Sequence, residues 1–261
     1  MDGTPDAAAR RLAAWRPHAA AIYGSGLWAL PERARLDDEI TYEALGWPSA
    51  SVPGHENVLR LARVAVEGGR ELRLALACGR PHRYEGWSDE ALETPVRALA
   101  AAGVTRIVLT NSCGALRPGA TVGRAVACSA VVDLQRPPLG DAPERLELCA
   151  DDVAARVATA AGAASGAGTY VSVCGPQFET PAEVAWLARY GDVVGMSAAP
   201  EARAAAAAGV ECCLLALVAN VAAAVGSHGD VLAAAGRLAG LLAAGLTRAV
   251  LARWPDTLDA A

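Results

Sequence analysis

"LRLALACGRPHRYEGW", residues 72–87, joins two unlike halves. The first half, residues 72–78, is apolar at nearly every position and has the length of a strand, so it reads as one buried in a sheet. The second half sets Arg80, His82, Arg83, Tyr84 and Glu85 directly behind it. A solvated loop explains such a segment; so does an anion site delivered to the end of a strand. Working upstream, "RLARVAVEGGRELRLALACGR" (60–80) reads as two strands around a Gly68–Gly69 hairpin turn.

The same alternation extends along the chain. Residues 6–16 have helical spacing with Asp6 as a cap, and "AAAIYGSG" (19–26) is a strand ending in glycines. Residues 89–102 form a helix between Ser88 as cap and Gly103 as stop. "RIVLTNSCGAL" (106–116) is a buried strand followed by a glycine turn, and "AVACSAVVDL" (125–134) is another strand. An Ala-rich helix is expected over 150–164, a strand at "GTYVSVCG" (168–175), and a helix with Pro181 in its first turn. A short strand "DVVGMS" (192–197), a helix ending at Gly209, a long buried strand "VECCLLALVAN" (210–220) and a helix over 229–253 complete the pattern. Strands alternating with helices predict an α/β fold: one domain over residues 1–261, with a mixed, mostly parallel sheet surrounded by helices.

Composition narrows the chemistry. The 261 residues are 53% hydrophobic and 20% charged, which fits a folded globular chain. A net charge of −5 points away from nucleic acid as a partner. All 23 basic residues are arginine, so Walker, Schiff-base and general-base lysines are excluded. Seven cysteines with no CxxC pair read as buried thiols in a reducing cytoplasm, not as a zinc site, and no metal is expected. The acidic-then-basic start is not a signal peptide, and the apolar tract "CCLLALVANVAAAV" (212–225) is too short to span a bilayer, so no membrane partner is expected.

In open α/β sheets ligands bind at the carboxyl ends of strands. Here polar clusters gather at six such ends: "GSG" with Ser25, "GRPHRYEG", "TNSCGAL", "GPQFETPAE", "GMS" and Asn220. Taken singly, each has a plain reading. A glycine turn connects elements, a lone Arg80 is a surface residue, and His82 or His55 is structural. Ser197 caps a helix, Glu179 partners a helix cap, Asn220 is a satisfied core amide, and Phe178, the chain's one phenylalanine, is ordinary core.

As a set they resemble the trimeric purine nucleoside phosphorylase family, which includes the methylthioadenosine phosphorylases. The resemblance lies in "GSGL", "SVPGH", "GRPHRYEG", "TNSCGAL", "GTYVSVCGPQFETPAEV", "VVGMSAAPE" and the Asn220/His228 region, in the family's order over residues 20–230. It implies cleavage of a purine nucleoside by inorganic phosphate, with no other cofactor, to free base and (deoxy)ribose 1-phosphate. By this resemblance Ser25, His55, Arg80, His82, Ser197 and the backbone N–H of Ser112 hold phosphate. Tyr84 and Met196 line the ribose, His228 meets its 5′-hydroxyl, and Phe178 packs on the purine. His82, Glu179 and Asn220 are the implied catalytic groups. A homotrimer is implied as the assembly. Within the family, Asn220 in place of an aspartate, Glu179 in place of a hydroxyl residue, and His228 all lean toward 6-oxopurines, inosine and guanosine.

Four features depart from the family pattern, one of them Ala219 and Val221 beside Asn220 in place of more polar neighbours. Trp28–Ala29 follow "GSGL" where relatives often carry a Gly-Gly pair, and Ala130–Val131 replace an Asp-His pair. The segment 134–168 is short and has no aromatic residue to lend to a neighbour's ribose pocket, which leaves an aliphatic such as Leu139 for that part. Two other readings follow: a phosphorylase for a modified nucleoside or 5′-methylthioadenosine, and a nucleoside-binding homologue with little turnover.

Overall fold

The structure is a computed structural model and describes residues 5–27, 30, 34–65, 71–118, 120–137, 142–148, 164–223, 229–234, 236 and 239. In chain order its elements are α1 (Pro5–Trp15), β1 (Ala19–Ile22), β2 (Ala34–Thr41), α2 (Tyr42–Leu45), β3 (Val58–Ala65), β4 (Glu71–Cys78) and a 3-10 turn (Arg83–Glu85). Then follow α3 (Asp89–Ala101), β5 (Arg106–Ala115), β6 (Ala125–Asp133), β7 (Glu144–Glu147) and β8 (Ala164–Ser172). The last are α4 (Pro181–Leu187), β9 (Val193–Gly195), α5 (Ala199–Ala208) and β10 (Glu211–Val221). Residues 229–234 are helical as expected, and most of the remaining expected helix lies outside the described residues.

The ten strands of the described residues join one sheet in the order β10-β6-β8-β9-β5-β1-β4-β3-β2, with β7 on β6. β10 also pairs with β5, which closes β5, β10, β6, β8 and β9 into a ring and leaves β1, β4, β3 and β2 as an open wing. The sheet is mixed, with parallel and antiparallel pairings equal in number among the described residues. β4, β1, β5 and β10 are mutually parallel, so their carboxyl ends share one edge. One apolar cluster includes Ile22, Leu61, Ile107, Leu109 and the Ala-rich face of α5; a second includes Tyr23, Leu27, Leu74, Val108 and Leu215. The alanines of α5 let it lie close on the sheet, since side chains that small fill little space between helix and strand.

Several expectations are corrected. Asp6 lies inside α1 and is not its cap. Gly114 is no turn: β5 runs through it to Ala115, because β10 and β9 pair with it on both edges and a Cβ there would stand 3.3 Å from that of Ala222. Ser197 does not cap α5; the cap position is Ala198, at φ 71°. Cys174 is exposed, whereas Cys78, Cys113, Cys128, Cys212 and Cys213 are buried free thiols. β8 begins at Ala164, inside the span expected to be helical, and the rest of that expected helix lies outside the described residues, as do Gly68–Gly69, Trp28–Ala29 and Leu139.

Ser88 caps α3 by accepting from the Ala91 N–H, and β3 and β4 pair antiparallel from Val58↔Cys78 to Ala65↔Glu71. β2 and β7 were not anticipated. β2, "ARLDDEIT", carries four charged residues in eight and forms the outer edge of the wing, where charge deters pairing with another chain.

Candidate active site

The carboxyl edge of β1, β4, β5 and β10 opens into a cleft of about 680 Å³, part of it open to solvent. Ser25, Arg80, His82, Tyr84, Ser112, Phe178, Glu179, Met196, Ser197 and Asn220 all line it. These residues come from six separate segments, and the topology explains their meeting. β1 delivers Ser25, β4 delivers Arg80 through Tyr84, and β10 delivers Asn220. β9, antiparallel to β5, leads Met196 and Ser197 back toward Asn111 and Ser112. Gly175, at φ 71°, passes so close to Met196 and Tyr84 that a Cβ would stand 2.3 Å from the Met196 sulfur.

One end of the cleft is cationic and closely built. Arg80 is 2% exposed. Its Nε donates to Glu201 Oε1 at 2.5 Å, Nη1 to the Thr110 carbonyl at 2.7 Å and to Ser197 Oγ at 3.4 Å, and Nη2 to the Ile22 carbonyl at 3.3 Å. The guanidinium is thus fixed beneath the cleft as a held positive charge more than as an open fork. Glu201 compensates it; a buried ion of either sign is costly when alone. Sequence reasoning did not single out Glu201, although an acid near the start of an alanine helix was visible in "VVGMSAAPE".

His82 is buried, and its Nδ1 lies 2.9 Å from Glu85 Oε1. Burial pushes the Glu85 carboxyl up, but hydrogen bonds from His82 and from the Ser51 N–H and hydroxyl win and hold it down at about 2. An ionised Glu85 keeps the proton on His82 Nδ1, so Nε2 is the ring nitrogen available to the cleft. Tyr84 stacks on His82 with centroids 4.8 Å apart. Burial and the Glu85 charge push the Tyr84 phenol up to about 12, so it stays a neutral hydroxyl.

His55 stands behind Ser25, outside the lining. Its Nδ1 accepts the Arg80 backbone N–H at 3.1 Å, which puts the ring proton on Nε2, 2.9 Å from Ser25 Oγ. Ser25 therefore accepts from His55 and keeps its own O–H to donate. Ser112 Oγ, also in the lining, is buried with no hydrogen-bond partner among the described residues.

The other end is more open. Phe178 is 42% exposed. Glu179 is half-buried; burial, with a smaller push from Glu183 against a pull from its own backbone N–H, raises its carboxyl above the ordinary value. It takes no part in the helix cap that follows, where Thr180 and Glu183 form the capping box. Asn220 Nδ2 donates to the adjoining Val221 carbonyl at 3.1 Å. His228 lies outside the described residues. Among the described residues no cluster of His, Cys, Asp or Glu suits a metal ion, and no helix is long and apolar enough to cross a membrane.

Residues 28–252 match the family model of the phosphorylase superfamily. The chain is 37% identical over 239 residues to the purine nucleoside phosphorylase of Mycobacterium tuberculosis, covering 86% of this chain and 87% of that one. It is also 37% identical over 217 residues to that of Cellulomonas sp, covering 78% and 76%. A structure of Schistosoma mansoni purine nucleoside phosphorylase in complex with inosine superposes with a TM-score of 0.75 at 24% identity, covering 98% of this chain and 99% of that one. The chain belongs to the purine nucleoside phosphorylases of the phosphorylase superfamily, a family of pentosyltransferase enzymes.

Proposed function

We propose that this chain catalyses phosphorolysis of 6-oxopurine ribonucleosides and deoxyribonucleosides, inosine and guanosine foremost, with inorganic phosphate as co-substrate. The observation that carries this reading is a single cleft lined by the buried Arg80 and His82, by Tyr84, Phe178 and Met196, and by the Glu179 carboxylate and the Asn220 amide. The C1′–N9 bond breaks with its electron pair leaving on the purine, and a phosphate oxygen bonds to C1′. The purine takes up a proton and departs as free base.

The transition state resembles an oxocarbenium ion, as in glycoside cleavage. Phosphate stabilises that cation and then captures it. In this reading Ser25, Ser197 and the Ser112 backbone N–H donate to phosphate, His82 faces it through Nε2, and Arg80 supplies the compensating charge. His55 acts by orienting Ser25. Tyr84 and Met196 bracket the ribose, and Phe178 covers the purine. Asn220 offers a donor to O6 and an acceptor to N7–H, while ionised Glu179 accepts from N1–H and the 2-amino group. His228, by family resemblance, meets the 5′-hydroxyl. Homotrimeric assembly and a cytoplasmic location belong to the same reading; the buried free thiols suit a reducing compartment.

Incubation with inosine, with and without phosphate, tests the proposal. Hypoxanthine and ribose 1-phosphate are expected only with phosphate. Inosine binding without cleavage makes the chain a binding homologue. Turnover confined to a sugar-modified nucleoside gives the second reading, which the lack of an aromatic residue in 134–168 favours.

A further inference from the structure

One polar residue of the cleft has no part in the assignments above. Asn111 lies in the middle of β5, opposite Ala216 of β10, and is 2% exposed. Its neighbours on the same face of the strand, Leu109 and Cys113, belong to the apolar core. Both its Oδ1 and its Nδ2 are buried with no hydrogen-bond partner among the described residues, yet it lines the cleft. An amide buried that deeply without partners is costly, and an apolar residue of the same size would fill the space without that cost.

Its position identifies the ligand it faces. The preceding residue, Thr110, gives its carbonyl to Arg80 Nη1, the same nitrogen that reaches Ser197. The backbone of Gly24, next to Ser25, passes so near that a Cβ there would stand 2.8 Å from the Asn111 Cα. Asn111 therefore sits among the groups of the cationic end. Sulfate presents acceptors alone, whereas hydrogenphosphate presents acceptors and one P–OH donor. An amide with both a donor and an acceptor unused matches the second and not the first.

We propose that Asn111 is a phosphate-binding residue that also reads the protonation of the anion: Nδ2 donates to a phosphate oxygen and Oδ1 accepts the P–OH proton, selecting hydrogenphosphate over sulfate. The inference rests on the proposed phosphorolysis for its biological anion, but its test is a binding measurement. Calorimetric titration with inorganic phosphate and with sulfate is made on the wild-type chain and on Asn111→Leu, which removes both groups. Asn111→Asp keeps the acceptor and removes the donor.

Wild type is expected to prefer phosphate over sulfate by about tenfold or more, the scale of one charge-assisted hydrogen bond. Asn111→Leu weakens phosphate by about tenfold and brings the two anions close together, with the inosine KM changed less than about twofold. Asn111→Asp weakens both anions by repulsion but keeps the preference for the protonated one; it also serves if the leucine variant does not fold. Phosphate affinity and the phosphate-to-sulfate ratio unchanged in a folded variant overturn the inference. So does a change confined to the inosine KM, which assigns the amide to the sugar. A wild-type chain that cleaves inosine with phosphate while Asn111 proves inert refutes this inference alone. Phosphate selected through Asn111 without nucleoside cleavage refutes the phosphorolysis alone.

Discussion

The two ends of the cleft are built differently. At the anion end Arg80, His82 and Ser197 are buried, and Arg80 and His82 are tied by hydrogen bonds to Glu201, Glu85 and strand carbonyls. At the base end Phe178 is exposed and Asn220 bonds to its own chain neighbour. The anion end is organised before any ligand arrives, because its charges need partners to be buried at all. The base end carries neutral or half-solvated groups that need no such support. Substitutions at the first end should therefore cost stability and phosphate binding together; those at the second should cost catalysis alone.

The largest expected effect tests the first half of that statement. Arg80→Met leaves Glu201 buried beside no cation, and breaking a buried pair on one side costs about 3–5 kcal/mol. Urea unfolding should register that loss, and the phosphate KM should rise far more than the nucleoside KM. Normal stability with normal phosphate saturation would show that the anion end is not held by this pair.

Asn220→Asp tests the second half. A carboxylate only accepts, so the donor to O6 is lost and an adenine amino group gains a partner. Inosine kcat/KM should fall by about 10²–10³, the range for deleting a donor that stabilises developing charge. The adenosine-to-inosine ratio should rise, and the melting temperature should stay within a degree or two of wild type. A drop in stability as large as that of Arg80→Met would erase the distinction between the ends.

Much of this contrast was legible in the chain, but unevenly. "LRLALAC" and "RIVLT" read as strands because buried parallel strands are apolar throughout, and the polar run behind the first marked an edge. The ten cleft residues could be named because each falls in a motif that resembles the family's, and those motifs gather at strand ends. What could not be read is which polar residue serves another polar residue. Glu201, Glu85 and His55 act through Arg80, His82 and Ser25, and the pairing of Arg80 with Glu201 spans 121 positions. The ring closure of β10 on β5 was equally hidden, since pairing partners far apart leave no local periodicity. Gly114 misled for that reason: a glycine within a ladder and a glycine in a turn look alike in sequence.

Glu179 gives a smaller, pH-dependent test of the open end. Burial raises its carboxyl above the ordinary value, and only the ionised form accepts from N1–H and the 2-amino group through both oxygens with a charged bond. Inosine kcat/KM should therefore fall on the acid side with a midpoint above that of an ordinary glutamate. Glu179→Gln should lower inosine kcat/KM by about tenfold to a hundredfold, the scale of a lost charge-assisted hydrogen bond, and abolish that limb. An acid limb that survives in the glutamine variant belongs to another group.

The smallest effect returns to the anion end and turns on sign. Glu85 is held at about 2 in the fold against an ordinary 4.5, so folding favours its ionised form. The stability it contributes is complete above pH 4.5 and is lost as the pH falls toward 2. In its part-buried setting screening keeps that contribution to about 1 kcal/mol. Glu85→Gln should flatten this part of the stability–pH curve. The amide still receives the His82 Nδ1–H but no longer charges that bond, so phosphate KM should rise by a few-fold at neutral pH while the nucleoside KM holds. Were stability to change with pH in the same way in both proteins, the carboxylate would be a passenger of the 3-10 turn and the anion end would owe its order to Glu201 alone.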